Sequence, residues 1–113
     1  MSERLPTHLE VGAIVRRAEA NGDFATVLRK GDKERGSLIL VVGSRGRHHA
    51  CLERILDLDG QYEWRAAGPS ESAESAEVSS FLAKRARFDE DLWVIELDVA
   101  APERFTAETV ARA

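Results

Sequence analysis

His48-His49-Ala50-Cys51 is the string in this chain whose residue types most resemble a metal-ligand set. On an extended strand side chains alternate between faces, so His49 and Cys51 project together while His48 points away. Two ligands do not make a closed zinc site, and the remainder would have to come from His8 or from carboxylates distant in sequence. The competing reading is a strand start in solvent followed by a small buried thiol. The same spacing offers Cys51 a base in His49, but a mid-strand cysteine is ordinarily packed and inert. A second group is acidic: Glu10, Asp57, Asp59 and the triplet Glu63-Trp64-Arg65 invite comparison with metal-dependent nucleases, which hold Mg²⁺ between carboxylates. Arg65 stands where those enzymes carry a lysine, Asp59 and Glu63 are unusually close, and Glu10 is already explained by capping. Asp59 suits a turn, and a carboxylate pair such as Asp57 and Glu63 binds Mg²⁺ only if both enter one cleft. A third group is basic. Arg29, Lys30, Lys33 and Arg35 surround Gly31-Asp32, and a glycine-rich turn with free N–H groups holds phosphate. Here Arg29, Lys30, Asp32 and Arg35 are the candidate ligand-binding residues, although the turn lacks the Gly-Lys-Ser/Thr spacing and the following helix of a Walker loop. Tyr62 and Trp64 share a strand face and would suit base stacking or, with so few aromatics, a core.

The elements that carry these residues follow from the periodicity. Thr7 and Glu10 have the spacing of a capping box, and Val11, Ile14, Val15 and Ala18 recur at helical intervals. Asn21-Gly22 closes the turn, which predicts a helix over His8–Ala20. From Asp23 the period becomes two, with Phe24, Thr26 and Leu28 alternating against Ala25, Val27 and Arg29. Gly31–Gly36 reads as a turn into a second strand, Ser37–Val42, and the two as a hairpin. Leu38–Val42 is apolar on both faces and demands cover on both. After Gly43–Gly46, a third strand over His48–Asp57 and a fourth over Gln61–Ala66 flank the Asp59-Gly60 turn. A second helix is expected over Ala73–Phe88, with Val78, Phe81, Leu82 and Ala86 on one face. Its acidic first turn and its basic last turn, Lys84, Arg85 and Arg87, complement the helix dipole. A fifth strand over Asp91–Val99 buries Trp93, Ile95, Leu97 and Val99, leaving Leu92 and Val94 as a small apolar patch. Pro102 starts a last short helix.

The order α-β-β-β-β-α-β-α predicts an α+β fold with a mainly antiparallel five-stranded sheet in the order 5-1-2-3-4. Two long helices are expected on one face.

The segments LPTHLEVGAIVRRAE (residues 5–19), FATVLRKGD (24–32), LERILDLDG (52–60) and DLWVIELD (91–98) resemble a small alphaproteobacterial family known only as a domain of unknown function, DUF1491. The resemblance covers nearly the whole chain. It implies a bacterial cytoplasmic protein of this size and brings no assigned activity, cofactor or catalytic residue.

Length and composition bound the function. The 113 residues suit one domain, and 43% apolar with 32% charged residues is a globular balance. A net charge of -4 argues against a protein that coats nucleic acid. The single cysteine excludes an internal disulfide and fits a reducing cytosol. The first residues lack an apolar signal core, and the longest strongly apolar run, Leu38–Val42, falls far short of the roughly 20 residues of a spanning helix, so no membrane partner is expected. The expected function is a non-catalytic protein-interaction module, with an unknown protein or a second copy as partner, since the second strand needs cover on its far face. No cofactor and no catalytic residue is assigned. The alternative is a metal-dependent nuclease-like or phosphate-binding enzyme.

Overall fold

The computed structural model describes residues 5–111; residues 1–4, on which part of the expectation about a signal segment falls, lie outside them. The elements are α1 (Thr7–Ala20), β1 (Phe24–Arg29), β2 (Leu38–Ser44), β3 (Arg47–Leu56), β4 (Tyr62–Ala67), α2 (Ser75–Phe88), β5 (Trp93–Asp98) and α3 (Pro102–Ala111). Every element expected from periodicity is present in the expected order, and the fold is α+β.

The strand order is not the expected one. The sheet runs β1-β5-β2-β3-β4, so β5 enters between β1 and β2 instead of adding at the far edge. It pairs antiparallel with β1 and parallel with β2, which makes the sheet mixed. The pairs β2/β3 and β3/β4 are antiparallel neighbours, as the turns between them require. The reason lies in β5 itself. Leu92, Trp93, Val94, Ile95 and Leu97 are all buried, from alternate positions and therefore on both faces. A strand of that kind belongs in the middle of a sheet. β1 exposes Phe24, Thr26, Val27 and Leu28 and belongs at an edge.

With β5 between them, β1 and β2 are about 10 Å apart, two inter-strand spacings, and no tight hairpin spans that gap. Gly31–Gly36 is instead a loop that crosses the start of β5 in close contact. A Cβ on Gly31 would lie 2.0 Å from the Asp91 carbonyl oxygen, and one on Gly36 would lie 2.3 Å from the same atom. Glycine is required at both positions by proximity.

The two long helices lie on opposite faces, not on one. Val11 and Ala18 of α1 pack with Leu38, Leu40 and Val42, and Phe105 of α3 joins that side. Val78, Phe81, Leu82 and Ala86 of α2 pack with Ile39, Val41 and Cys51 on the other. The second face of β2 is thus covered from within the chain, as is the Leu92 and Val94 patch, which α2 seals. Each such aliphatic side chain, taken from water, stabilises the fold by about 1.5–3 kcal/mol.

The capping box does not form. The N-cap of α1 is Pro6, which places Thr7 inside the first turn, 2% exposed. Its hydroxyl donates to Gly36 O at 3.1 Å and lies 3.3 Å from Glu34 O, while Thr7 N–H and His8 N–H donate to Glu34 O and Lys33 O. The Gly31–Gly36 loop therefore supplies acceptors that the helix start would otherwise lack. Glu10, released from capping, reaches Arg54 on β3. Among the described residues no helix is long and apolar enough to cross a membrane.

Candidate functional site

The three groups of polar residues occupy different parts of this frame. In the β2/β3 ladder the register slips between Val42 and Gly43, which face Ala50 and His48 and leave His49 as the extra residue of a bulge. His48 donates through Nε2 to Pro69 O at 3.4 Å, and His49 Nδ1 stands 3.8 Å from Glu71. Cys51 is fully buried under α2 beside Ile39 and Val41, and burial pushes its thiol up from 9.0 to about 11. A thiol held protonated is a poor nucleophile and a poor ligand. Among the described residues no three His, Cys, Asp or Glu side chains gather in a way that would hold a metal ion.

The carboxylates are separated by the sheet. Glu10 approaches from the α1 side to pair with Arg54, whereas Glu63 faces Ile55, whose side chain points the opposite way. Glu63 is paired with Arg65 at 2.5 Å. Asp57 Oδ1 accepts from Asp59 N–H and Gln61 N–H, both at 2.9 Å, and so shapes the turn in which Gly60 adopts φ +82°. Tyr62 and Trp64 do share a face, under α1 and α3. Trp64 joins the core, and the Arg54 guanidinium lies 4.2 Å from the centre of the Tyr62 ring.

The basic turn is closed upon itself. Asp32 N–H donates to Asp91 O, Glu34 and Arg35 N–H donate to Asp32 Oδ2 at 3.0 and 2.8 Å, and Gly36 N–H donates to Asp32 O. The Trp93 indole N–H donates to the same Asp32 carbonyl at 2.7 Å. Four of the N–H groups that would form a phosphate cradle are thus occupied, which leaves mainly side chains to meet an anion. Of these, Arg29 donates to Glu90 O at 3.0 Å, while Lys30 and Arg35 are exposed. At the end of α2, Arg85 pairs with Glu53 of β3, which raises its already high pKa through that hydrogen bond and removes it from any free basic patch.

Two surface features are built by the tertiary structure. The first is a cleft of about 270 Å³ at the carboxyl ends of the parallel pair β2/β5, beside α2, lined among others by Leu28, Ser44, His48, Ser79 and Glu96. The two non-glycine residues with positive φ among the described residues flank it: Arg45 at 53° and Ser72 at 67°. Arg45 N–H is held by Asp98 Oδ1, and Ser72 N–H by His48 O with its hydroxyl accepting from Arg47. The second is the outer edge of β1. It carries Phe24 at 72%, Val27 at 37% and Leu28 at 49% exposure, and among the described residues no backbone hydrogen bond reaches its outer side. Sequence reasoning passed over this edge because it assigned β1 an internal place; the alternation of Phe24, Thr26 and Leu28 identifies the strand and not its neighbours.

Comparison with known proteins agrees with the sequence resemblance. The model of a family described as protein of unknown function (DUF1491) matches residues 5–107. A crystal structure of a DUF1491 family protein from Caulobacter crescentus superposes with a TM-score of 0.74 at 32% identity, covering 85% of this chain and 89% of that one. An NMR structure of a DUF1491 family protein from the same organism gives 0.74 at 31%, covering 86% and 87%. The solution structure of protein Atu0922 from A. tumefaciens gives 0.69 at 29%, again covering 86% and 87%. No curated protein matches the chain.

Proposed function

The chain belongs to the DUF1491 family of proteins of unknown function, and from that footing we propose that it is a non-catalytic interaction module of the cytoplasm that receives partner chains along β1. The observation that carries this reading is the unguarded edge. Edge strands are usually protected by charge, proline or a covering element, because their free N–H and C=O groups template further pairing. The opposite edge has such protection: β4 carries the Glu63–Arg65 ion pair and has α3 against it. β1 has no charged residue from Phe24 through Leu28 and presents three apolar side chains. Strand addition to an open edge is a recurrent way of binding extended segments, with backbone hydrogen bonds giving affinity and side-chain pockets giving selectivity. Leu28 also lines the cleft beside α2, so a strand laid along β1 brings side chains to its mouth. The reading is further supported by the candidate catalytic groups, which are taken up by turns, ion pairs and the core.

The test is retention of proteins from a native cytosolic extract by immobilised wild type and by Leu28→Lys, followed by amide exchange with the retained partner. Proteins lost from Leu28→Lys, together with slowed exchange across Phe24–Arg29, are expected. Identical retention by both forms, or protection confined to other elements, refutes the reading.

A further inference from the structure

We infer that the edge of β1 pairs antiparallel with β1 of a second copy of this chain, about a two-fold axis at Thr26; the inference rests on the edge-docking reading above and names its partner. The segment Asp23-Phe24-Ala25-Thr26-Val27-Leu28-Arg29 is complementary to itself when reversed. Laid antiparallel about Thr26, it sets Asp23 against Arg29, Phe24 against Leu28, Ala25 against Val27 and Thr26 against its own copy. Opposite charges meet at both ends, apolar side chains meet within, and like charges face each other nowhere, which is the pattern that stabilises cross-strand neighbours.

The structure fixes the faces of the central residues. Phe24 and Thr26 lie opposite Asp98 and Glu96 of β5 and so share the α2 face, while Ala25 and Val27 lie opposite Leu97 and Ile95 on the other. Phe24 and Leu28, both about half exposed or more, then cover each other across the junction twice, once on each side of the axis. The terminal charges lie at the two ends of β1, where Asp23 Oδ1 accepts from Ala100 N–H at 3.2 Å and Arg29 donates to Glu90 O at 3.0 Å within the chain. Leu28 is the extra residue of a bulge between Val27 and Arg29, so the regular ladder is short and Leu28 and Arg29 meet the second copy at its margin. The contact is isologous and closes on itself, joining two five-stranded sheets into one of ten.

The experiment is sedimentation equilibrium of the full chain at concentrations up to about 1 mM, a range that populates weak strand-to-strand pairings. The expected result is a monomer–dimer equilibrium for the wild type. Asp23→Arg and Arg29→Asp are each expected to weaken it about tenfold, because each change places two like-charged contacts in one dimer. An equimolar mixture of the two variants is expected to regain dimers, since its mixed pair has opposite charges at both ends. If either variant fails to fold, Thr26→Cys reads the same geometry. Mild oxidation then cross-links copies at position 26 and not at Ser80→Cys on the exposed side of α2, while buried Cys51 stays reduced. A wild type that remains monomeric throughout, a dimer indifferent to both charge changes, a mixture that stays dissociated, or equal cross-linking at both positions overturns the inference. A monomeric wild type whose extract partners still depend on Leu28 removes self-pairing and leaves edge docking standing.

Discussion

Arg54 of β3 and Glu10 of α1 form an ion pair across the interface of sheet and helix, with the arginine side chain 6% exposed and the glutamate 25%. The guanidinium stacks on Tyr62, and its Nε is buried with no hydrogen-bond partner among the described residues. A charge this deep is tolerated because both a carboxylate and an aromatic face meet it.

Removing one member of the pair is therefore expected to cost more than removing both. Arg54→Ala should lower stability by about 3 kcal/mol, since it strands the carboxylate and empties space beside Tyr62. The double variant Glu10→Gln, Arg54→Met should recover most of that loss, because a hydrophobe of similar length replaces a desolvated pair. Urea unfolding of the three proteins decides the matter; a double variant weaker than Arg54→Ala contradicts it.

The same pair predicts a pH dependence with a definite sign. Burial raises the Glu10 carboxyl above 4.5, and the attraction and hydrogen bond of Arg54 only partly offset this. With its folded pKa above the unfolded one, Glu10 binds its proton more tightly in the native state. Its contribution is then fully present below about 4.5 and is lost as pH rises through the folded value. The stability of the wild type relative to Glu10→Gln should fall across that window and then level off. Denaturant titrations at stepped pH measure it, and a difference that grows in favour of the wild type would sink the claim.

The loop over β5 makes a separate prediction. Gly31→Ala forces a Cβ to within 2.0 Å of a backbone carbonyl and should cost at least about 3 kcal/mol, because backbone on both sides must move. Gly46→Ala meets no atom within 4 Å, and its cost should be limited to about 1 kcal/mol, the strain of φ +81°. Thermal melts of the two should separate clearly.

Cys51 should behave as a core residue. Its thiol, buried and pushed up to about 11, should resist alkylation at pH 8 in the folded protein and react at the rate of global unfolding. Cys51→Ser should cost about 1–3 kcal/mol, the penalty of an unpaired hydroxyl among Ile39, Val41 and Val78. Fast labelling under native conditions would show that α2 opens independently.

Because the N–H groups of the Asp32 turn are occupied, inorganic phosphate at millimolar concentration should leave the melting temperature unchanged. A ligand bound to the folded state alone would raise it in proportion to ln(1 + [L]/Kd). A rise that Lys30→Ala and Arg35→Ala abolish would reinstate the turn as a phosphate site.

What the chain states locally, it states well. The spacing of Val11, Ile14, Val15 and Ala18 marks α1, Asp59-Gly60 marks its hairpin, and Leu38–Val42 announces a strand buried on both faces. Helix and strand periods need only neighbours a few residues away, so they survive in the sequence unaided. Thr7 and Glu10 show the limit of such reasoning. Their spacing fits a cap, yet Thr7 serves Gly36 and Glu10 serves Arg54, partners that lie far along the chain.

The position of β5 was decided only by the assembled fold. Leu92 and Val94 already make that strand two-sided, yet from spacing alone one face is a patch awaiting cover and the strand is expected at an edge. Which strand becomes interior depends on how apolar area is balanced across all five at once, and pairing energies between distant strands leave no periodic trace. The same balance sends α1 and α2 to opposite faces and leaves β1 outermost. Residue types thus determined that Phe24 and Leu28 alternate on one side of a strand; that this side meets water at the rim of the sheet is a property of the whole molecule.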